Sequence, residues 1–216
     1  MGKPLKTAVL VSGGGTNLQA LIDEELAMKS RGEECPYNIA LVISSSAKAF
    51  ALERAKKAGV PAFIASPSLL LGEKAKEATR DEKRFAVSEK VFELCKVHEI
   101  EAIVLAGFLT VLGGPILESY SGRIINLHPA LLPKYGGVGM FGHHVHEAVL
   151  AAGEKESGIT IHLVDAGCDT GTILLQKRVP VEAGDTPETL YARIAPHEHQ
   201  AMVEGLKLLA ARLADK

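Results

Sequence analysis

The chain has 216 residues, 47% hydrophobic and 23% charged, the balance of a soluble globular protein. Folding at this length removes roughly 70% of the unfolded surface from water, so no disulfide or metal staple is required. A net charge of −2 and a pI near 6.5, with no basic stripe, argue against a nucleic-acid partner and for a small one. Three scattered cysteines, Cys35, Cys95 and Cys168, form no C-x-x-C pair, which suits free thiols in a reducing compartment. No apolar run has membrane-spanning length, and the chain enters a strand within a few residues of Met1. A cytoplasmic location with no membrane partner is expected, as a monomer or homodimer.

In chain order, residues 6–11 form an apolar run that reads as a buried parallel strand. It stops at Ser12-Gly13-Gly14-Gly15. Residues 17–29 have helical spacing, with Leu18, Leu21, Ile22 and Leu26 on the apolar face. A strand follows over 38–43, a helix over 48–58 that stops at Gly59, and a strand over 61–65. The stretch 66–78 reads as loop-like or mixed. A long amphipathic helix is predicted over 79–98, then a strand over 102–106, a short helix over 111–119 and a strand over 123–126. A Pro- and Gly-rich loop leads to a helix over 143–152. Strands over 158–164 and 172–179 are joined by a turn, and a long helix over 187–214 closes the chain.

Strands alternating with helices imply an α/β fold. The expected architecture is one doubly wound, mostly parallel, Rossmann-like sheet with helices on both faces. The strand pair near the C-terminus makes its edge mixed. Without repeats, linkers or low-complexity tracts, one domain over 1–216 is the simplest organisation. Ligands in such sheets sit outside the carboxyl ends of the strands, which selects the loops 12–17, 106–110 and 126–142.

Each loop carries residues with chemical potential. Ser12-Gly13-Gly14-Gly15-Thr16-Asn17 joins a strand to a helix, so bare N–H groups and a helix dipole can meet a phosphate there. It lacks the P-loop lysine, and Leu18 stands where G-x-G-x-x-G needs its third glycine. A tight turn with Thr16 or Asn17 as a helix cap is the plainer alternative. Asn126 and His128 lie on one side of a strand end, where both can donate to a developing oxyanion. A satisfied polar pair is the alternative. Asp169, in a Gly-flanked turn, can join them if that turn lies at the same end. It would then favour the imidazolium of His128; otherwise it is an ordinary turn aspartate. His143, His144 and His146 crowd one segment but lack the i, i+4 pairing of zinc-binding helices, so no metal is expected. Glu198, between His197 and His199, reads as part of a solvated face.

Together these motifs resemble the folate-dependent formyltransferases, in particular the phosphoribosylglycinamide (glycinamide ribonucleotide) formyltransferases, over nearly the whole chain. The resemblance is carried by the stretch from Val9 to Gln19, by Ile103 to Leu109, and by Gly158 to Val164 with Asp169-Thr170-Gly171. Its most specific part is Ile125-Asn126-Leu127-His128-Pro129-Ala130-Leu131-Leu132-Pro133-Lys134-Tyr135.

It implies transfer of a formyl group from the co-substrate 10-formyltetrahydrofolate to the amine of glycinamide ribonucleotide. Asn126, His128 and Asp169 match the catalytic trio, and Gly15, Thr16 and Asn17 the binders of the ribonucleotide phosphate. Glu198 matches a further ribonucleotide contact. Leu109, Thr110, Val111 and Leu112 match the pterin-pocket segment, joined by Asn126, and Arg84 matches an arginine for the folate. Three departures stand out: the variant loop Gly136 to His144, Thr110 in place of a basic residue, and Ala195 in place of a glutamine. Formyl transfer to another phosphorylated amine or sugar, and a non-catalytic Rossmann-type nucleotide-binding module, are the competing readings. The polar trio weighs against the second.

Overall fold

A computed structural model describes residues 3–215. Strand β1 (Leu5–Val11) turns Ala8 and Leu10 to one side and Val9 and Val11 to the other, and all four are fully buried. It is therefore a central strand. Around it the order is β3-β2-β1-β4-β5-β6-β7, with β2 (Tyr37–Ser44), β3 (Ala62–Ile64), β4 (Ala102–Leu105) and β5 (Ile124–His128). These first five pair in parallel. Strands β6 (Glu156–Leu163) and β7 (Ile173–Pro180) add an antiparallel edge. The mostly parallel, mixed-edge sheet expected from the sequence is what forms.

Helices cover both faces. Val9, Val42, Val104, Ile125 and Ile161 pack under α1 (Thr16–Ser30), α2 (Ala51–Lys57), α6 (His143–Ala151) and α7 (Pro187–Ala214). Leu10, Ile43, Ile103 and Ile124 pack under α4 (Arg80–Val97) and α5 (Pro115–Ser119). Helix α4 starts at a capping box in which Thr79 and Glu82 satisfy each other's backbone N–H. The chain runs outward from β1 to β3, then returns to β4 on β1's other side. The crevice at the carboxyl ends of β1 and β4 is thus the topological switch point.

Several elements differ from expectation. Leu26 is 56% exposed, and the buried face of α1 is completed by Glu25. Heptad spacing from Leu18 lands on position 25. The carboxylate there survives burial by accepting from Ile39 N (2.9 Å), Asn38 Nδ2 (2.8 Å) and Lys29 Nζ (2.6 Å). The 66–78 stretch contains a short helix, α3 (Pro67–Leu71), capped by Ser66, and a 3₁₀ turn over Gly72–Lys76. Helix α5 begins only at Pro115, because Gly113 and Gly114 interrupt its start. Strand β5 runs two residues further than predicted, through His128, because β6 pairs with it as far as Thr160.

Candidate active site

Loop, strand end and turn converge at the switch point. Asn126 and His128 project from the end of β5, and β6 runs opposite them in the register Asn126↔His162 and His128↔Thr160. The turn after β6 starts opposite the beginning of β5, where Leu163 pairs with Ile125, and folds back over the strand so that Asp169 reaches His128. Asp165 shapes it by accepting from Gly167 N (3.0 Å) and Thr170 Oγ1 (2.7 Å). Asp169 sits in it with a left-handed backbone, φ 59°. Its Oδ2 reaches within 3.6 Å of His128 Nδ1 and its Oδ1 within 3.5 Å of His162 Nε2. The structure thus brings the three predicted residues together.

The surrounding bonds assign the protons. His128 Nε2 lies 2.7 Å from the Tyr135 carbonyl, which only accepts, so Nε2 carries a hydrogen. His162 Nδ1 lies 2.9 Å from the Leu163 carbonyl and carries one for the same reason. Asn126 Nδ2 and Asp169 Oδ1 both face His162 Nε2, at 3.2 and 3.5 Å, and the second amide hydrogen of Asn126 is left for a ligand.

His128 is 3% exposed. Burial pushes its pKa below the ordinary value, against the pull of the Asp169 charge and the Tyr135 carbonyl. The imidazolium expected at neutral pH is therefore not the resting form, because dehydration outweighs the carboxylate. Burial also works to raise the Asp169 pKa, but His162, the Gly137 N–H (3.0 Å) and His128 together hold it below the usual carboxylate range.

His162, the Tyr135 carbonyl and the Gly137 N–H were not singled out from the sequence. Alternation puts His162 on the same strand side as Thr160, but the register that sets it opposite Asn126 is a tertiary fact. The end of the Ile125–Tyr135 stretch supplies the carbonyl, and the variant loop supplies the Gly137 N–H. Tyr135 is anchored through its hydroxyl to Glu154 (2.8 Å), which holds its carbonyl on His128. Gly136 must be small, since a Cβ there would lie 3.1 Å from Asp169 Cβ and closer still to Leu132.

The glycine loop sits beside this cluster. Gly15, at φ 71°, is the N-cap of α1, and no side chain caps the helix. Neither Thr16 nor Asn17 acts as the cap, and the first turn carries no acidic residue. The helix start is thus open to an anion. Arg54 Nε donates to the Gly14 carbonyl (2.8 Å) and Ala51 N to the Gly13 carbonyl (3.1 Å), which fixes the loop's shape. Asn17 Nδ2 reaches Glu198 Oε2 at 3.4 Å, and the buried Asn17 Oδ1 has no hydrogen-bond partner among the described residues. Glu198 is half-buried rather than part of a solvated face. Burial raises its pKa, opposed by the Asn17 amide.

The segment after β4 forms the opposite wall. Leu109 and Val111 are exposed, Thr110 is half-buried, and Leu112 packs into the core as the anchor. The Arg84 guanidinium lies against Gly113 and stacks over Phe85 at 4.9 Å; its buried Nε makes no hydrogen bond among the described residues and stands 3.9 Å from Asp81 Oδ1. Ser12 Oγ ties the two walls together, meeting Ser45 Oγ (2.6 Å) and accepting from Leu109 N (3.0 Å). The three α6 histidines diverge. His143 faces Glu188, His144 faces Glu147, and His146 is buried. Among the described residues no group of His, Cys, Asp and Glu is arranged to hold a metal ion, and no helix is long and apolar enough to cross a membrane.

A mostly parallel sheet with an open helix start and an Asn–His–Asp cluster is an arrangement suited to acyl-transfer chemistry. A family described as formyl transferase matches residues 5–206, and the chain belongs to it. The phosphoribosylglycinamide formyltransferase of Escherichia coli K12 is 36% identical over 195 residues, covering 90% of this chain and 82% of that protein. A glycinamide ribonucleotide transformylase structure from Symbiobacterium toebii superposes with a TM-score of 0.81 at 36% identity, covering 98% of this chain and 90% of that one. The trifunctional purine biosynthetic protein adenosine-3 of Drosophila pseudoobscura pseudoobscura is 42% identical over 211 residues. This chain covers only 14% of that protein's length.

Proposed function

We propose that the chain transfers the formyl group of 10-formyltetrahydrofolate to the amine of glycinamide ribonucleotide, as a cytoplasmic enzyme of purine biosynthesis formed by one domain. The observation that carries this reading is the cluster of Asn126, buried His128 and Asp169, together with an uncapped helix start.

The acceptor's phosphate lies on the N–H groups of Gly15, Thr16 and Asn17, and Glu198 holds the acceptor from α7. The folate lies along Leu109, Thr110, Val111 and Leu112, and Arg84 grips its carboxylate through paired N–H donors. The amine nitrogen attacks the formyl carbon, and the carbonyl oxygen takes the negative charge. The free amide hydrogen of Asn126 meets that oxyanion, a contribution of roughly 3–4 kcal/mol for a preorganised donor. His128 rests neutral, and its Nδ1 lone pair takes up the amine's proton. Asp169 stabilises the imidazolium so formed. The proton then passes to the folate nitrogen as its bond to the formyl carbon breaks, so one N–H is lost and one gained.

The test is consumption of 10-formyltetrahydrofolate, followed by absorbance, with and without glycinamide ribonucleotide. Consumption that depends on the ribonucleotide is expected. Consumption driven only by another amine, or by water, would overturn the acceptor assignment.

A further inference from the structure

His146 is a buried histidine that the transfer chemistry leaves unused. It lies in the first turn of α6 with 2% of its surface exposed. Its Nδ1 is shut off from solvent and has no hydrogen-bonding partner among the described residues. An unpaired buried nitrogen destabilises the fold, so its retention calls for a role. Burial, with His143 and His128 nearby, lowers its pKa and keeps the ring uncharged at neutral pH.

Its neighbours locate that role. The ring lies 5.7 Å from that of Tyr191. Tyr191 and Glu198 stand two helical turns apart on one face of α7, and the Glu198 charge helps raise the Tyr191 pKa after burial. Glu198 in turn meets Asn17 of the glycine loop. On its other side, His146 lies within the electrostatic reach of His128. Through Tyr191, His146 thus meets the face of α7 that leads to the Asn17–Glu198 contact. Ala195, on the same α7 face between Tyr191 and Glu198, has no polar atom to offer there. A neutral imidazole suits an uncharged hydroxyl or amide, whereas a phosphate would call for a cation. Gly137, Gly139 and Gly142, all with positive φ, lead into α6.

We propose that His146 is a binding residue for the formyl acceptor, hydrogen-bonding an uncharged group between its phosphate and its reacting amine. This rests on the acceptor assignment above. His146→Phe keeps an aromatic ring against Tyr191 and removes both nitrogens. It should raise the KM for glycinamide ribonucleotide about tenfold, the factor of one lost neutral hydrogen bond. The folate KM should hold and kcat should fall less than the KM rises. His146→Gln should recover part of the loss, and His144→Phe, an exposed neighbour, should change none of these values.

The 2-deoxyribose analogue of the acceptor separates the two kinds of partner. If a ribose hydroxyl is bound, the analogue cancels the difference between parent and His146→Phe; if the amide is bound, the difference persists. Should the variant fail to fold, ¹⁵N-histidine spectra of the parent carry the test: a His146 ring-nitrogen shift on adding glycinamide ribonucleotide supports the role, and its absence overturns it. A parent enzyme that ignores glycinamide ribonucleotide defeats the acceptor assignment. A parent that uses it, beside a His146→Phe variant with parental KM, defeats the His146 proposal alone.

Discussion

At the scale of single residues, the pair His128 and Asp169 carries the clearest expectation. Asp169→Asn keeps the size and removes the charge that offsets the cost of burying an imidazolium. The rate should fall at least ~100-fold, the usual weight of general acid–base help, with both substrate affinities nearly unchanged. The Asp169 charge raises the His128 pKa, so its removal should move the acid limb of the pH–rate profile to lower pH. A normal rate with an unshifted limb would make Asp169 a plain turn residue. The glycine loop needs a finer probe. A side chain on Gly15 is excluded by its positive φ and by Ala51, whose Cβ would lie 2.6 Å away, whereas nothing lies within 4 Å of a Cβ on Gly14. Gly14→Ala should therefore raise the ribonucleotide KM selectively, while Gly15→Val should lower Tm as well. Equal KM changes for both substrates in Gly14→Ala would count against a phosphate cradle. Asn126, His128 and Asp169 were legible as residue types at a strand end and in a turn. The resting charge of His128 was not, because it depends on how little water reaches the ring.

At the scale of elements, the sequence pattern predicted the sheet well, because its strands are apolar runs bounded by glycine and proline. It misplaced Leu26, since a leucine one position off the buried face looks like any other apolar residue, while Glu25 is buried only because β2 supplies its donors. The short helix α3 escaped notice because five residues are too few to show a period. His162 escaped for want of the β5–β6 register. Helix α4 delivers Arg84 to the wall formed after β4, and Ser88 Oγ on the same helix accepts from Gly113 N at 3.0 Å. Arg84→Ala should weaken folate binding, seen as a raised folate KM, and leave ribonucleotide binding nearly untouched. Unchanged folate affinity would remove Arg84 from the site.

For the whole molecule, the buried histidines set a direction for acid stability. His128 and His146 both have pKa values lowered by burial. Above the unfolded value near ~6.5 both states are neutral and the fold is at full strength. As the pH falls below that value the unfolded chain takes up protons first, and stability is lost down through the folded values. Glu198, with a raised pKa, acts in the opposite sense at lower pH. Tm should therefore fall between pH 7 and 5, and His146→Phe should flatten that slope; a slope unchanged by the substitution would refute the assignment. The Ser12 hydroxyl, which bonds both Ser45 and Leu109 N, makes one rigid junction of the two walls on which the two substrates are proposed to lie. Any shift that one substrate imposes on it is felt by the other, and linkage requires the two effects to be equal. Ribonucleotide should alter folate affinity by the same factor that folate alters ribonucleotide affinity, and Ser12→Ala should bring that factor toward one.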